Sequence, residues 1–480
     1  MSTTESPQAL LVRSLMNPSC YDHPVVQVEL VETHISWVLL TGDFVYKIKK
    51  PVDFGFLDFS TLEKRKFYCE EELRLNRRLA EDLYLAVVPI GGTQEMPELN
   101  ATQGAIEYAV KMKQFPQAQQ LDEVLARGEL KPDQLDAVAR LIAEFHLRIR
   151  TVAAEEAYGD PEHVYQPVSE NFRQIRQHLS GDLPGELPEL EHWSAQCFER
   201  IKAVLASRKT DGFVRECHGD LHLTNLAWYQ DVPLVFDCIE FNPNLYWIDV
   251  MNDIAFLVMD LQDRGQWSLA YRLLDIYLQI TGDYAGIAVL RFYLVYRAMV
   301  LAKVNAIRLG QTADDSESRQ RVKKECLNYI QLGTRYIRHA QPLLMITRGV
   351  SGSGKSTVAS QLLEHLGAIR IRSDVERKRL FGIAPGETAA AENNSGIYTP
   401  GATQRTYDRL YELAGQVIDA GYPIIVDAAF LQHGQRMPFR QLALQKQVPY
   451  IILSLEADTQ VLRQRVQERR GDASDAGLSV

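Results

Sequence analysis

The spacing of hydrophobic and polar positions changes several times along the first part of the chain. Residues 25–40 alternate between apolar and polar types, residues 41–43 (Thr-Gly-Asp) suit a tight turn, and residues 44–50 (FVYKIKK) alternate again. Alternation puts every second side chain on one face of a strand, so this stretch predicts an antiparallel hairpin. Residues 61–83 then show helical spacing, and two further strand patterns follow within residues 87–115.

Helical patterns dominate the middle of the chain. Residues 133–150 have helical spacing, whereas residues 152–190 are rich in Pro, Gly and acidic residues and predict a loop with short helices. A polar stretch occupies residues 216–244. Helical spacing then holds from about residue 247 to residue 340, and Pro342 ends that run.

Beyond Pro342 short apolar runs alternate with amphipathic helical segments. The runs are LLMITRGV, AIRI, PIIVDA and YIILSL. A parallel sheet that is covered by helices on both faces gives this pattern, because its strands are buried on both sides. We therefore predict two domains, residues 1–340 and residues 341–480, and an α/β fold for the second.

Composition and charge exclude several classes of protein. The 480 residues contain 52 Lys and Arg against 62 Asp and Glu, a formal charge of −10. This acidity disfavours a general nucleic-acid or anionic-membrane partner, whose affinity would come from a basic surface. No stretch approaches the ~18 apolar residues that cross a bilayer, and the first residues lack an export pattern. Six scattered cysteines without metal-ligand spacing predict free thiols in a reducing cytoplasm.

A phosphate-binding loop follows the first apolar run of the second domain. The sequence GVSGSGKS at residues 349–356 fits GxxxxGK[ST], with a strand pattern before it and a helical pattern after it. Backbone N–H groups of such a loop surround the β-phosphate of ATP, Lys355 reaches the β- and γ-phosphates during catalysis, and the Ser356 hydroxyl binds Mg²⁺. The nucleotide-binding residues expected here are Gly349, Gly352, Gly354, Lys355, Ser356 and Thr357.

Further charged residues occupy the ends of the later strands. Asp374 follows the second apolar run and is a candidate base for an acceptor hydroxyl, although a helix N-cap is the alternative. Asp427 ends PIIVDA and is a candidate Mg²⁺ ligand through water. Arg463 belongs to an arginine-rich last helix that could clamp phosphates, and a solvated helix face is the alternative. Residues 343–470 resemble the small P-loop kinases related to gluconate kinase, the zeta-toxin kinases and the polynucleotide 5′-kinases, which implies ATP-dependent phosphoryl transfer.

A second phosphotransferase pattern lies in the polar stretch at 216–244. Residues 218–225 read HGDLHLTN, and Asp237 follows a short turn and an apolar strand. In this arrangement Asp220 would orient and deprotonate an acceptor hydroxyl, while Asn225 and Asp237 would hold Mg²⁺ against the triphosphate. A polar loop without chemistry is the alternative.

A kinase-like site also needs a strand lysine and a helix glutamate. Lys47 and Lys49 point to the same strand face, and residues 70–72 are all glutamate at the start of a helical stretch. By analogy with the kinase sequence VAIK we choose Lys47, and we choose Glu72 because Leu73 and Leu75 follow it. Lys49 and Glu71 remain alternatives.

Residues 25–300 resemble the aminoglycoside phosphotransferase and choline kinase branch of the protein-kinase-like fold. That resemblance implies a bilobal α+β domain with an antiparallel sheet lobe and a helical lobe, with residues 107–112 (EYAVKM) as the hinge. The first hairpin lacks the GxGxxG of protein kinases. The order of both halves is similar to bacterial proteins in which such a domain is fused to a P-loop ATPase of the AAA_33 type.

These patterns together predict a bifunctional cytoplasmic kinase with two Mg²⁺ and ATP sites. Each site would transfer the γ-phosphate to a hydroxyl of a small molecule. One active domain beside an ATP-sensing module, or a P-loop domain that acts on a nucleic-acid end, are the alternatives. The families it resembles continue beyond GDASDAGLSV into a fifth strand, so we expect four strands, a mobile segment after about Arg470 and an open adenine side at the P-loop.

Overall fold

A computed structural model describes residues 6–55, 57–179, 184–311, 317–338, 341–384, 387 and 396–468. The strands of these ranges are β1 (Glu29–Glu32), β2 (Ser36–Leu40), β3 (Phe44–Lys49), β4 (Tyr84–Gly92), β5 (Pro97–Leu99), β6 (Glu107–Lys113), β7 (Val214–Glu216), β8 (Leu226–Tyr229), β9 (Val232–Val235), β10 (Trp247–Asp249), β11 (Leu344–Arg348), β12 (Ile369–Arg372), β13 (Ile424–Asp427) and β14 (Tyr450–Ser454).

The α-helices of the same ranges are α1 (Pro7–Ser14), α2 (Leu62–Ala80), α3 (Leu121–Ala126), α4 (Pro132–Arg148), α5 (Pro161–His178), α6 (Glu186–Thr210), α7 (Pro243–Tyr246), α8 (Val250–Asp263), α9 (Trp267–Thr281), α10 (Ile287–Gln311), α11 (Glu317–Ile337), α12 (Lys355–Leu366), α13 (Ser373–Leu380), α14 (Pro400–Asp419), α15 (His433–Gln445) and α16 (Thr459–Glu468).

The chain forms two compact units, and each unit contains two stretches of sequence. Unit 1 comprises Met1–Gln134 and Arg215–Ile248, and unit 2 comprises Leu135–Val214 and Asp249–Val480. The division that the sequence predicted, between residues 340 and 341, is a different one and stays a prediction.

Unit 1 is built on a six-stranded antiparallel sheet with the order β1-β2-β3-β6-β4-β5. The predicted hairpin is confirmed, since β2 pairs with β3 across the turn at residues 41–43. The stretch 107–112 was expected to be a hinge, but it lies inside β6 and pairs with strands on both sides. The reason is that this strand is covered on both faces, since the consecutive residues Ala109 and Val110 are both buried, in two different hydrophobic clusters.

Unit 2 contains a four-stranded parallel sheet with the order β12-β13-β11-β14. The four apolar runs of the sequence are these four strands, so the predicted parallel sheet is confirmed. The strand that leads into the phosphate-binding loop, β11, lies between two others, which fixes the loop at the middle of the sheet edge. A fifth strand or a mobile tail after Arg470 falls outside the described residues.

Helices make up the rest of unit 2, and one of them differs from the sequence prediction. Residues 152–190 were expected to form a loop with short helices, but α5 alone has 18 residues. Its Pro161 occupies the first turn, where the missing N–H is not needed, and Val168, Phe172 and Ile175 form one buried face. Proline content therefore misled the prediction in this segment.

One helix meets a length and composition test for crossing a membrane, contrary to the expectation that no stretch would. It spans Tyr284–Gly310, and 67% of its apolar window is buried inside the structure. The buried core helix of a globular domain passes the same test, because it is apolar around its whole circumference.

Candidate active sites

A short hairpin positions two of the predicted ligands of unit 1. Strands β8 and β9 pair with Leu226 opposite Val235, so Asn225 and Phe236 meet at the open end of the hairpin. The Phe236 N–H donates to the Asn225 carbonyl at 3.1 Å, and Asp237 follows with a left-handed φ of 62°. The hairpin thus holds an amide side chain and a carboxylate beside each other at one end.

The predicted base Asp220 is held by its own loop. The Asn225 amide donates to the Asp220 Oδ2 atom at 3.0 Å, and the His222 ring lies 3.1 Å from the same oxygen. His218 orients the loop, because its Nε2 lies 2.9 Å from the Phe236 carbonyl while its Nδ1 accepts the Asp220 N–H at 3.2 Å. These contacts assign the ring proton of His218 to Nε2.

Gly219 allows this loop to turn. Its φ is +87°, and a Cβ atom there would lie 2.7 Å from the Leu245 carbonyl oxygen. Both the conformation and the close approach require glycine. In the HGD sequence, Gly219 is therefore needed for the shape of the loop, and Asp220 is the residue proposed for the chemistry.

Two lysines and three carboxylates meet next to this loop, and we call them the lysine cluster. Lys47 lies 2.6 Å from Asp237 and 2.9 Å from Glu72. Lys49 lies 2.6 Å from the other Glu72 oxygen and also hydrogen-bonds to Glu240. The structure therefore brings the predicted Lys47, Glu72 and Asp237 together, and it places Lys49 behind them with only 1% of its side chain exposed.

Burial and ion pairing oppose each other in the lysine cluster. Burial acts to lower the pKa of Lys47 and of Lys49, but the surrounding carboxylates outweigh it and raise both. Burial likewise acts to raise the pKa of Glu72, yet the two lysines lower it to about 2. For Glu240 burial prevails and raises the pKa. Glu240 is thus the acid whose charge depends most on its lysine partner.

Sequence reasoning missed three side chains that support this site. Glu240 closes the lysine cluster, the Tyr84 hydroxyl accepts the Asp237 N–H at 3.1 Å, and the Asn76 amide oxygen accepts the Cys238 N–H at 2.8 Å. Asn76 lies one turn after Glu72 on the buried face of α2. A polar residue at a core position of an amphipathic helix was the available signal, because such a residue needs a specific partner.

The phosphate-binding loop of unit 2 joins β11 to α12. Gly349 leaves β11 with φ +152°, and a Cβ atom there would lie 2.5 Å from the Leu455 carbonyl oxygen. Gly352 lies within the loop, Gly354 caps α12, and Lys355 begins that helix. The Lys355 Nζ atom donates to the Val350 carbonyl at 2.8 Å, which turns the ammonium back over the loop.

Asp427 stands beside this loop. It ends β13, next to β11, and the Thr347 hydroxyl lies 3.4 Å from its Oδ1 atom. Its Oδ2 atom is buried and has no hydrogen-bond partner among the described residues, with the Arg372 Nε atom 3.8 Å away. The Ser353 hydroxyl inside the loop is likewise buried without such a partner. Unsatisfied buried oxygens fit a site that receives a hydrated cation and phosphate.

The other predicted residues of unit 2 lie around the same sheet edge. Asp374 is the second residue of α13 and not its N-cap, which is Arg372. Ser356 and Thr357 follow Lys355 in the first turn of α12. Arg463 and Arg465 are both exposed, and the Arg465 guanidinium lies 3.4 Å from the Gly352 carbonyl. Two residues apart on a helix means about 200° of rotation, so only one of these arginines can face the loop.

Comparisons with known proteins identify two families along the chain. Residues 64–293 match the model of the phosphotransferase enzyme family, and residues 344–480 match the model of an AAA domain. Uncharacterized proteins of Mycobacterium tuberculosis and Mycobacterium bovis are 29% identical to the chain over 468 residues, which are 96% of this chain and 91% of each relative. Both halves are therefore shared with these relatives in the same order.

Solved structures with a likeness to the chain are distant in sequence. The enzyme APH(2")-IIia, solved with GDP and kanamycin, is 14% identical, with 68% of this chain and 98% of that chain covered and a TM-score of 0.43. A choline/ethanolamine kinase family protein of Mesorhizobium loti is 12% identical, with coverage of 69% and 97% and a TM-score of 0.40. Residues 64–293 thus match the phosphotransferase enzyme family and residues 344–480 match a P-loop, kinase-like AAA domain, and the two matches together support an enzyme of the kinase type.

Proposed function

We propose that this chain transfers the γ-phosphoryl group of ATP to hydroxyl groups of small molecules at two separate sites. The observation that carries the proposal is that each compact unit contains one such arrangement. Unit 1 holds Asp220 beside Asn225 and the lysine cluster. Unit 2 holds Lys355 at the start of a helix that follows a phosphate-binding loop.

Asp220 is the proposed base of the first site. Its side chain is 36% exposed, so an acceptor can reach it, while its Oδ2 atom is fixed by Asn225 and His222. The acceptor hydroxyl gives its proton to this carboxylate as its oxygen bonds to the γ-phosphorus. The bond from that phosphorus to the bridging oxygen breaks, and ADP leaves with the electron pair. Lys47 is the proposed contact to the α- and β-phosphates.

Oxygen donors at both sites fit Mg²⁺. Asn225 and Asp237 supply an amide oxygen and a half-exposed carboxylate in unit 1, and Ser356 and Asp427 supply a hydroxyl and a carboxylate in unit 2. A divalent cation at these positions would neutralise charge on the β- and γ-phosphates. Lys355 would pair with the same phosphates in unit 2, and Asp374 is the proposed base there.

We also place this reaction in the cytoplasm. ATP is abundant there, and the six cysteines are all free, five of them buried, which fits a reducing compartment. The acceptors are proposed as small molecules because the chain is acidic overall and offers no broad basic surface by composition.

A screen of small-molecule extracts with γ-labelled ATP tests the proposal. Three full-length proteins are compared: wild type, Asp220→Asn and Lys355→Ala. We expect Asp220→Asn to lose one set of labelled products and Lys355→Ala to lose another, because each substitution removes a group from one site only. Asn keeps the shape of Asp220, so the fold survives.

Calorimetry with a non-hydrolysable ATP analogue counts the sites independently of any acceptor. Wild type should bind two equivalents in the presence of Mg²⁺, and Lys355→Ala should bind one tightly. A single equivalent on wild type that disappears in Lys355→Ala would show that unit 1 has no nucleotide site. Identical labelled products from all three proteins would contradict both assignments.

A further inference from the structure

Unit 2 contains a cavity of about 280 Å³ that neither proposed active site uses. Helices α8 to α11 form one wall, and the residues that precede and begin β12 and β13 form the other. We call it the aromatic cavity, because four rings line it. They belong to Trp267, Tyr271, Tyr336 and Tyr422.

The aromatic cavity lies at the opposite edge of the parallel sheet from the phosphate-binding loop. Ile369 and Pro423, at the amino ends of β12 and β13, line it. The phosphate-binding loop and Asp427 follow the carboxyl ends of β11 and β13. The helix α12 connects the two edges, because Lys355 begins it and Leu366, which lines the cavity, ends it. Twelve helical residues separate the two places by about 18 Å.

Among the described residues that line the aromatic cavity, one cation has no hydrogen-bond or ion-pair partner. Arg291 donates to the Gly421 carbonyl and stacks on Tyr422, and Arg338 pairs with Glu189. Arg335 lines the cavity, is exposed, and has no hydrogen bond or ion pair with any residue that the structure describes. Asp275, the acid in the wall, is already held by Arg370 at 2.6 Å. A ligand would therefore meet an uncompensated positive charge.

The aromatic rings define the rest of the ligand. Trp267 lies between Tyr271 and Tyr336, with ring centroids 6.1 and 6.4 Å away. The Tyr336 hydroxyl is occupied by Gln262 at 2.7 Å, so this ring offers its apolar part. The two tyrosine rings are tilted by 52° and 57° to the indole ring, so together they offer both ring faces and ring edges to an aromatic ligand. Concave, mainly apolar surroundings with one charged group are typical of small-molecule sites.

A buried chain of contacts links this cavity to the phosphate-binding loop. Asp275 lines the cavity and holds Arg370 through both guanidinium edges, at 2.6 and 3.3 Å. The same guanidinium donates to the Ser356 carbonyl at 3.1 Å. Ser356 is the proposed cation ligand of the second site. A ligand that displaces Asp275 would therefore shift Arg370 and, through it, Ser356.

We propose that the aromatic cavity binds a planar aromatic anion, and that this ligand alters nucleotide binding at the phosphate-binding loop through Asp275, Arg370 and Ser356. The coupling part rests on the proposed nucleotide site of unit 2, whereas the binding part does not. Coupling free energies between distinct sites typically change affinity by roughly 5- to 150-fold. The ligand class follows from stacking on the rings and pairing with Arg335.

Titration of the full-length chain with anilinonaphthalene sulfonate tests the binding part. This probe is an aromatic sulfonate with a planar naphthalene ring system, and its fluorescence rises in apolar surroundings. We expect one saturable site on wild type and binding weakened about tenfold in Arg335→Ala, the effect of losing one charge-assisted hydrogen bond. Leu366→Trp, at the exposed mouth, should fill the cavity and abolish the signal. Both positions are exposed, so the fold is retained.

Arg321→Ala is the matched control for the first variant. Arg321 is exposed on the same helix α11 but does not line the cavity. Its substitution should leave the affinity for the probe unchanged. An equal loss in Arg321→Ala and Arg335→Ala would point to general charge attraction and overturn the assignment. Wild-type binding in both Arg335→Ala and Leu366→Trp would place the probe elsewhere and overturn it as well.

A non-hydrolysable ATP analogue with Mg²⁺ tests the coupling part. Coupling between two sites is reciprocal. The factor by which the nucleotide changes the affinity for the probe must therefore equal the factor by which the probe changes the affinity for the nucleotide. We expect the affinity for the probe to change about fivefold or more and to reach a plateau as the nucleotide concentration rises. Simple competition for one site would instead remove probe binding completely. Lys355→Ala should abolish the change.

Arg370→Lys separates the coupling from the binding. A lysine can pair with Asp275, but its donors all sit on one nitrogen, so it cannot span Asp275 and the Ser356 carbonyl as the separate guanidinium nitrogens of Arg370 do. Probe affinity without nucleotide should equal that of wild type, while the nucleotide effect should disappear. A nucleotide effect that persists in Arg370→Lys, or none in wild type, would overturn the coupling. Loss of phosphoryl transfer alone leaves the probe titrations unaffected, so the two proposals fail distinguishably.

Discussion

Substitution of Lys49 by methionine separates the structural lysine of unit 1 from the chemical one. Lys49 is almost completely buried, and it is the lysine that contacts Glu240. Without it Glu240 becomes a buried acid with no cation at hydrogen-bond distance, while Glu72 keeps Lys47 at 2.9 Å. Breaking a buried pair by removing one partner costs about 3–5 kcal/mol. We expect Lys49→Met to lower the free energy of unfolding of unit 1 by that amount.

Lys47→Met provides the contrast. Its partner Asp237 is 44% exposed and can be solvated by water, and Glu72 keeps Lys49 at 2.6 Å. The stability cost should therefore be smaller than that of Lys49→Met, because the carboxylate that loses its lysine can be solvated. Turnover at the first site should fall about a hundredfold or more, because Lys47 is the ammonium that would face the phosphates.

Urea unfolding of the full chain, followed by tryptophan fluorescence and circular dichroism, measures the stability difference. The double variant Lys49→Met, Glu240→Leu should recover most of the loss, since it removes both charges and fills the space with apolar groups. A Lys49→Met protein that unfolds at the same urea concentration as wild type, beside a strongly destabilised Lys47→Met, would refute this assignment of the two lysines.

Three further predictions concern single positions. The pKa of Glu72 is lowered from 4.5 to about 2, so its ionised form stabilises the fold fully above pH 4.5 and this stabilisation is lost as the pH falls towards 2. At ~1.4 kcal/mol for each pKa unit, the contribution to the free energy of unfolding is about 3 kcal/mol. Urea midpoints at several pH values should therefore show the gap between wild type and Glu72→Gln closing across that window, and a constant gap would contradict the ion pairs. Gly219→Ala should reduce phosphoryl transfer at the first site only, because a Cβ atom would press on the Leu245 carbonyl and displace the loop. Gly349→Ala should reduce nucleotide affinity in unit 2 only, since its Cβ atom would meet the Leu455 carbonyl at 2.5 Å. If either glycine variant lost function at both sites, the result would argue against independent sites.

The sequence could predict which residue types form the site of unit 1 but not which lysine does which task. Lys47 and Lys49 lie two residues apart on one strand and share a face, so a period of two cannot distinguish them. Their difference arises from Glu240, which approaches from a distant part of the chain. Glu72 could be chosen from the helix phase, because Cys69, Glu72 and Leu75 are buried at spacings of three.

The parallel sheet of unit 2 was accessible from sequence because its strands are short apolar runs with clear boundaries. The task of each arginine in α16 could not be predicted from sequence, because a helix rich in one residue type carries no signal for which member faces the loop. Both Arg463 and Arg465 are exposed, and Arg465 is the one that contacts the Gly352 carbonyl. The aromatic cavity was also invisible. Its rings come from helices and loops between residues 258 and 423, and only the packing of unit 2 joins them.

The charge balance of unit 1 gives a physical reason for a cation in the proposed reaction. The lysine cluster contains three carboxylates and two lysines, and Asp220 adds a further acid beside it. Even if Glu240 is protonated, the acids still outnumber the lysines. A triphosphate that approaches these side chains would meet net negative charge, and the repulsion would be strong in a partly buried place. Asn225 and Asp237 end the same hairpin and present oxygen atoms, so a divalent cation held there would reverse the sign of the potential where the phosphates arrive. Without a cation, the two lysines can do no more than hold the carboxylates in place. The attraction for ATP would come from Lys47 and the divalent cation acting together.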